Sequence, residues 1–503
     1  MKGKSVSVVI ANWNGKHLME QFLPSVLNAL RDCDEVIVVD NGSTDGSVEF
    51  LRENFPQVRL IRLPKNYGFS VANNIGVLAA RNEVVVLLNN DMRPEEGFLE
   101  PLLSHFNDPT VFAVGAKLLH FDGSPDHANR TRLIVSGGFL SIAGERDSKQ
   151  LNLITEPEEQ AHAQGGGAAF DRKKFLELGG FDPIFSPAYF EDVDLSLRAL
   201  QKGWRIVYEP RSIVWHLGGQ TGKARARWFF ELVSFRNFLI FNFLNAPTPW
   251  WLGWQMGSLT LWLMTEALCG DFLTYHLATL LTIPKWWGIV KRRWLNPLTS
   301  AEGLLKLLKP EHLGTSKQTA IPEPPPSHPF VLLIAPAYEG DKVVLKMAAD
   351  AVRRKWRLPV ALVIRPGQET FLSSYGIADK FITFLPGTIS SQFHNFGQLV
   401  RWLLKSPCQA LVIPAPSLSP SKGKFVAMGI LVNLLGRKPL WEWRDGRWKQ
   451  FSVWDILVRL PLLPITLGIC FTLAIFLSLA ILSSSLKKLC GRKVHRPKNF
   501  AAW

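Results

Sequence analysis

Val38-Val39-Asp40-Asn41-Gly42-Ser43-Thr44-Asp45-Gly46-Ser47 reads as a strand that ends on an acid, a glycine-rich polar turn, and the first residue of a helix. The β-branched apolar run suits a buried place in a sheet, and the small polar residues after it break the pattern. Outward from this stretch the same order recurs. Val6–Ala11, Glu35–Asp40, Val58–Leu63 and Glu83–Asn89 read as buried strands, with His17–Leu30, Ser47–Asn54 and Phe69–Ala80 as the helices between them. This alternation predicts an α/β fold with a mostly parallel sheet covered on both faces. Ligands of such sheets bind beyond the carboxyl ends of the strands. Three polar clusters sit at those ends: Asn12-Trp13-Asn14-Gly15, Asp40 through Asp45, and Asn89-Asn90-Asp91.

Further motifs follow in order: Asn66-Tyr67-Gly68-Phe69, Gly179-Gly180-Phe181-Asp182, Glu191-Asp192-Val193-Asp194, and His216 after Ile213-Val214-Trp215. Each has a plain structural reading. Asp40–Ser47 makes an ordinary turn and helix cap. The acids from Glu191 onward suit the positive end of a helix dipole. Gly165-Gly166-Gly167 serves equally as a close-approach segment or a hinge.

Taken together, residues 5–220 resemble the family-2 glycosyltransferases of GT-A fold, a Rossmann-like nucleotide-sugar transferase fold, and particularly the rhamnosyltransferase-like branch. The resemblance implies an inverting enzyme that uses a nucleotide-diphosphate sugar and a divalent cation, Mg²⁺ or Mn²⁺. It implies that Asp40 binds the nucleotide, with Asn12, Asn14, Asn41, Asp45, Asn66, Asn73 and Asn90 around the donor. Asp91 stands at the metal position and His216 at a metal or phosphate position. Asn89 replaces the first carboxylate of the family's Asp-x-Asp motif. Inversion needs a base that takes the acceptor hydroxyl proton. By resemblance that base is Asp192, with Glu191 beside it. The Gln-x-x-Arg-Trp signature of processive synthases is absent, which favours addition of a single sugar.

The remaining chain points to a membrane. The 503 residues carry a net charge of +15, yet the first 245 carry −3 and the rest +18. Basicity therefore begins where the motifs stop, which favours an anionic lipid surface over a nucleic-acid groove. We divide the chain into a GT-A catalytic domain (1–245), an aromatic and basic membrane-interfacial segment with a Pro-rich linker (246–329), and a smaller Rossmann-like α/β accessory domain (330–450). Residues 451–503 then hold a membrane helix at about 460–486 and a basic tail. Leu460–Leu486 contains no charged residue, and as a helix it would be about 40 Å long against a hydrocarbon core of about 30 Å. The sequence Lys291-Arg292-Arg293 beside tryptophans reads as an interfacial cluster. Five scattered cysteines and no leader-like start place the catalytic domain on the cytoplasmic side of a cell membrane. The expected partners are a nucleotide-diphosphate sugar, a lipid-linked or cell-surface glycan acceptor and the membrane, with no nucleic acid. Two competing readings stand beside this one. A nucleotidyltransferase would need a basic glycine-rich loop after the first strand, which Asn12–Lys16 is not. A degenerate transferase domain acting as a membrane-bound binding protein is the stronger alternative, motivated by Asn89.

Overall fold

The computed structural model describes residues 4–295 apart from 127, 137, 146–147, 219–226, 247–248 and 270–271. Beyond these it describes 330–334, 342–364, 380–383, 408–415, 440–444, 447–451, 461–473 and 475. The chain opens with β1 (Val6–Asn12), α1 (Lys16–Asn28), β2 (Glu35–Asp40), α2 (Ser47–Asn54), β3 (Arg59–Arg62), α3 (Phe69–Ala79) and β4 (Val84–Asn89). Each matches an element expected from the sequence to within two residues. There follow β5 (Met92–Pro94), α4 (Leu99–Ser104), β6 (Val111–His120), β7 (Arg132–Ser136), β8 (Phe139–Ala143), α5 (Ser148–Leu153) and β9 (Glu158–Glu159). This first sheet closes with β10 (Gly167–Asp171), α6 (Arg172–Glu177), α7 (Glu191–Gln201) and β11 (Arg205–His216).

Alternation of side chains along the strands builds two cores, one on each face of the sheet. Val6, Val8, Ile10, Val36, Val38 and Val86 pack with Met19, Leu23 and Val26 of α1 on one side. Val9, Ile37, Val39, Val85 and Leu87 pack with Ala72 and Val77 of α3 and Leu195 and Ala199 of α7 on the other. Each such buried side chain contributes about 1.5–3 kcal/mol. Helix α3 lies so close that a Cβ on Gly76 would stand 2.2 Å from Val9 Cγ1.

The strand order is β3-β2-β1-β4-β10-β6-β11-β5. The first four are parallel, as expected. The rest correct the expectation of a mostly parallel sheet: β10 runs antiparallel to both β4 and β6, and β5 is antiparallel to β11. The physical reason is a long excursion through β7, β8, α5 and β9, from which the chain re-enters the sheet at its carboxyl-end side. Gly167 begins β10, and a Cβ there would meet Leu118 at 2.8 Å. A strand of Gly and Ala fits this gap and gives little strand signal.

Four helices follow: α8 (Arg227–Asn245), α9 (Pro249–Cys269), α10 (Phe272–Leu280) and α11 (Trp286–Leu295). They share a largely aromatic core in which Phe235 meets Trp262 at 4.5 Å and Tyr275 at 4.9 Å between ring centroids. A separate six-stranded sheet contains β12 (Phe330–Ile334), β13 (Val360–Ile364), β14 (Lys380–Thr383), β15 (Cys408–Ala415), β16 (Leu440–Arg444) and β17 (Arg447–Phe451). Its order is β14-β13-β12-β15-β16-β17, parallel except for the last strand, with α12 (Lys342–Trp356) after β12. The last two strands, β16 and β17, pair antiparallel with Arg444 opposite Arg447.

Among the described residues no helix is long and apolar enough to cross a membrane. Of the 460–486 stretch expected to do so, residues 462–473 form α13, while 474 and 476–486 lie outside the described residues. Helix α13 packs onto the aromatic core through Ile469, Cys470 and Leu473. The buried His276 Nε2 and Thr466 Oγ1, 2.8 Å apart, fix it there.

Candidate active site

The carboxyl ends of β1, β2 and β4 meet in a network of short polar side chains. Asn12 Nδ2 donates to Asp40 Oδ2 at 3.4 Å, and Asn12 Oδ1 accepts from Asn90 Nδ2 at 2.9 Å. Asp40 is fully buried, and its Oδ1 accepts the Ser43 amide at 3.0 Å. Asn14 accepts from the Thr44 amide at 2.8 Å, and its own amide donates to Ser43 Oγ at 2.9 Å. Gly15 is forced by this arrangement, since a Cβ there would lie 2.3 Å from Asn90 Nδ2.

Other expected donor residues shape the loops. Asn41 Nδ2 donates to Asn66 Oδ1 and to the Gly68 carbonyl, and Asn41 Oδ1 accepts from the Tyr67 amide. Together they fold the 66–68 turn. Asp45 accepts from the Lys16 and Ser47 amides and so ties the start of α1 to the start of α2. Burial opposes its ionisation, but those amides and the Ser47 hydroxyl hold its carboxyl below the usual range. Asn73 is buried in α3 and donates to the Phe69 carbonyl at 3.0 Å.

A second group forms where β11 ends between β5 and β6. His216 Nε2 lies 3.4 Å from Asp91 Oδ1, and His216 Nδ1 lies 2.9 Å from Asp126 Oδ2. The His120 ring stacks on His216 with centroids 6.2 Å apart, and its Nε2 is 4.0 Å from Asp126 Oδ2. Burial would lower the His216 pKa, yet Asp126 and Asp91 raise it to about 9. Ligand-capable atoms of His120, Asp126 and His216 all lie within 4.8 Å of one another. The donor set suits a divalent cation. Asp91 offers a hard oxygen and His216 Nε2 a nitrogen, while Asp126 takes the other ring nitrogen as an orienting carboxylate does in metal sites. Asn89 is not part of this set, because its amide lies over Gly166, where a Cβ would meet Asn89 Oδ1.

The third group is the start of α7. Tyr189 and Phe190 precede it with φ of +78° and +74°, the left-handed region that non-glycine residues rarely occupy. Asn237 of α8 holds this bend by donating to the carbonyls of Phe185, Ala188 and Tyr189. Asp192 Oδ2 accepts the Gly165 amide at 3.0 Å and Oδ1 the Val193 amide at 2.8 Å. Burial raises the Asp192 carboxyl, but His162, with Nε2 3.2 Å away, and the two amides bring it below its ordinary value. Glu191 shows the opposite outcome: burial and the neighbouring Asp192 charge push it up to about 8, and its Oε2 has no hydrogen-bond partner among the described residues. Two adjacent carboxyls are thus split into an ionised and a protonated one at neutral pH.

Asp194 is structural. It is fully buried between Arg198 Nε at 2.8 Å and Arg292 Nη2 at 2.9 Å, and Arg292 Nη1 reaches Asp182 at 2.6 Å. Arg292 therefore points into the protein, unlike the interfacial role its sequence neighbours suggest. Gly165 and Gly166 join the groups: a Cβ on Gly165 would lie 3.4 Å from Asp192 Cβ, and Gly166 backs onto Asn89. The Gly165-Gly166 backbone thus touches the start of α7 on one residue and the Asn89 end of β4 on the next. His120, Asp126, His162, Asn237 and Arg292 were not singled out from sequence. Isolated His and Asp residues in polar loops carry no spacing signal, and Asn237 and Arg292 lie in stretches that read as aromatic helix.

Residues 7–179 match the family model described as glycosyl transferase family 2. N-acetylglucosaminyl-diphospho-decaprenol L-rhamnosyltransferase of Mycobacterium tuberculosis is 29% identical over 273 residues, covering 49% of this chain and 87% of that protein. Pre-mycofactocin glycosyltransferase of the same organism is 31% identical over 215 residues, covering 42% of this chain and 43% of that one. The structure of GalNAc-T7 with UDP, GalNAc and Mn²⁺ aligns with 20% identity over 51% of this chain and 50% of that one, at a TM-score of 0.41.

Proposed function

We propose that this chain is an inverting, metal-dependent glycosyltransferase that moves one sugar from a nucleotide-diphosphate donor to a lipid-linked or cell-surface glycan. The observation that carries the reading is the ionised Asp192 beside the protonated Glu191 at the start of α7, set against the Asn89 end of β4 through Gly165-Gly166, with the Asp91–His216 pair following Asn89 in the chain. The rhamnosyltransferase relative, whose name specifies a polyprenyl-diphosphate acceptor, supports the acceptor class.

Asp40, Asn12 and Asn90 present their polar network to the nucleotide at the ends of β1, β2 and β4. Asp91 and His216 would hold Mg²⁺ or Mn²⁺, which when bound neutralises charge on the departing diphosphate. Asp192 takes the proton of the acceptor hydroxyl as its oxygen attacks the anomeric carbon. The bond from that carbon to the diphosphate oxygen breaks, and its electron pair leaves with the diphosphate. Glu191, protonated, adds no second charge beside the base. The bent 185–190 segment and α8 form the acceptor side. We further assign residues 330–450 as an accessory unit and place the enzyme on the cytoplasmic face of a cell membrane. The cation excess beyond residue 245 and the exposed Trp287, Leu273 and Phe471 support this.

The test is sugar transfer to membrane glycolipid extracts by wild type and by Asp192→Asn, with donor binding followed calorimetrically. Transfer should fall about 10²–10⁴-fold in the variant with donor binding retained. Equal transfer by the two proteins defeats the assignment of the base. No nucleotide binding by folded wild type favours a degenerate binding protein instead.

A further inference from the structure

His162 has no place in the reaction as described so far, yet its ring stands against the carboxylate of the proposed base. It is 6% exposed, and Nε2 stands 3.2 Å from Asp192 Oδ2. The contact is too oblique for a formed hydrogen bond, and neither ring nitrogen has a hydrogen-bond partner among the described residues. A buried polar group left in this condition in a folded protein calls for an explanation. Its backbone is not loose. The His162 amide donates to Thr131 Oγ1 at 2.9 Å, and Thr131 Oγ1 donates to the His162 carbonyl at 3.1 Å. Next door, the Ala163 amide donates to Ser196 Oγ on α7 at 3.1 Å. The ring is thus carried on a segment pinned at both sides and aimed at one carboxylate.

We propose that His162 is a positioning residue for Asp192, a buried ring that pairs with the carboxylate and keeps it aimed at the acceptor hydroxyl. This rests on Asp192 being the base. Electrostatics give the reason for a partner of this kind here. Asp192 sits beside Glu191 at the end of α7, and Tyr189 adds a phenol on the same side. The Gly165 and Val193 amides satisfy lone pairs of Asp192 without carrying a full charge. A carboxylate shielded from water and flanked by a second carboxyl drifts toward its neutral form unless a positive group adjoins it. His162 adjoins it and lowers its carboxyl.

The experiment compares wild type, His162→Gln and Asp192→Asn by steady-state kinetics across pH, with calorimetric titration of a nucleoside diphosphate and Mn²⁺ as the readout of fold and donor site. In His162→Gln, kcat should fall about 10²-fold through loss of aim, with nucleotide affinity unchanged. The acid limb of its kcat profile should move to higher pH, because Asp192 loses its counter-charge and protonates more readily. A fall in kcat with an unmoved limb would make His162 merely structural, and wild-type kinetics would remove it from the site; either overturns the proposal. Should His162→Gln not fold, Thr131→Val, which removes the hydroxyl holding the His162 backbone, should give a smaller loss and limb shift in the same direction. Its failure to shift the limb counts equally against the proposal. If Asp192→Asn transfers sugar normally, the base assignment fails. If that variant is dead while His162→Gln is normal, only the role of His162 fails.

Discussion

The donor side and the base side of this site are built by different means. Most donor-side contacts are the nearer in sequence: Asn12 reaches Asp40 across 28 positions and Asn41 reaches Asn66 across 25, while Asn90 reaches Asn12 across 78. The base side joins distant elements: Arg292 reaches Asp194 across 98 positions, and Asn237 reaches Ala188 across 49. The first is held by neutral hydrogen bonds between short side chains, each worth about 0.5–1.5 kcal/mol. The second hangs on one amide that serves three carbonyls and one guanidinium that serves two acids. The donor side should therefore degrade gradually under substitution and the base side abruptly.

The sharpest way to break this contrast is Arg292→Met. Losing one partner of the buried Asp194 should cost about 3 kcal/mol, seen in urea unfolding, with kcat falling more than donor affinity. If the unfolding midpoint is unchanged, α11 does not anchor α7. Asn237→Ala should come next, at about 1–3 kcal/mol for the carbonyls left without a donor, again with kcat falling while the nucleotide dissociation constant holds. On the donor side, Asn66→Ala removes contacts local to one turn and should cost about 1 kcal/mol; a loss as large as that of Arg292→Met would erase the contrast.

A pH experiment sharpens the base side. The folded-state pKa of Glu191, about 8, lies above the unfolded value of 4.5. The folded protein therefore binds the extra proton between those values, and stability from this group is full below 4.5 and lost as pH rises through 8. Glu191→Gln should gain thermal stability relative to wild type as pH climbs through that window. A constant difference across it would mean the carboxyl is not buried as described. The smallest effect belongs to Asn89→Asp. Because that side chain lies over Gly166 rather than beside Asp91, restoring the familiar acid should change Mn²⁺ affinity by no more than about threefold, the scale of a weak charge pair.

The same contrast explains what could be read from the sequence. Val8–Gly15, Val38–Ser47 and Leu87–Asp91 each pack a strand, its end and its polar cluster into one short stretch, so element and site residue were legible together. β10 was not, because a strand of Gly and Ala squeezed between β4 and β6 lacks the β-branched signature. Asp126 lies in a turn whose residues resemble any surface turn, and only tertiary closure of β6 on β11 brings it to His216. Arg292 was read by its neighbours, two tryptophans and more basic residues, while its partner acids lay about a hundred residues away. Such contacts leave no local periodicity to find.

The return of α13 to the aromatic helices has a consequence in time. Thr466 meets His276 across 190 positions, whereas the sheet from β1 to β11 closes on contacts within its own first 216 residues. On the ribosome the nucleotide side can assemble early. The helical layer that fixes the bend before Glu191 gains its last partner only after some 170 further residues beyond Arg292 have been made, a delay of roughly 10–35 s at ordinary elongation rates. For that interval the nascent chain would hold a finished donor cleft beside an aromatic layer still open to solvent, the stage at which chaperones or a bilayer would have the most surface to grasp.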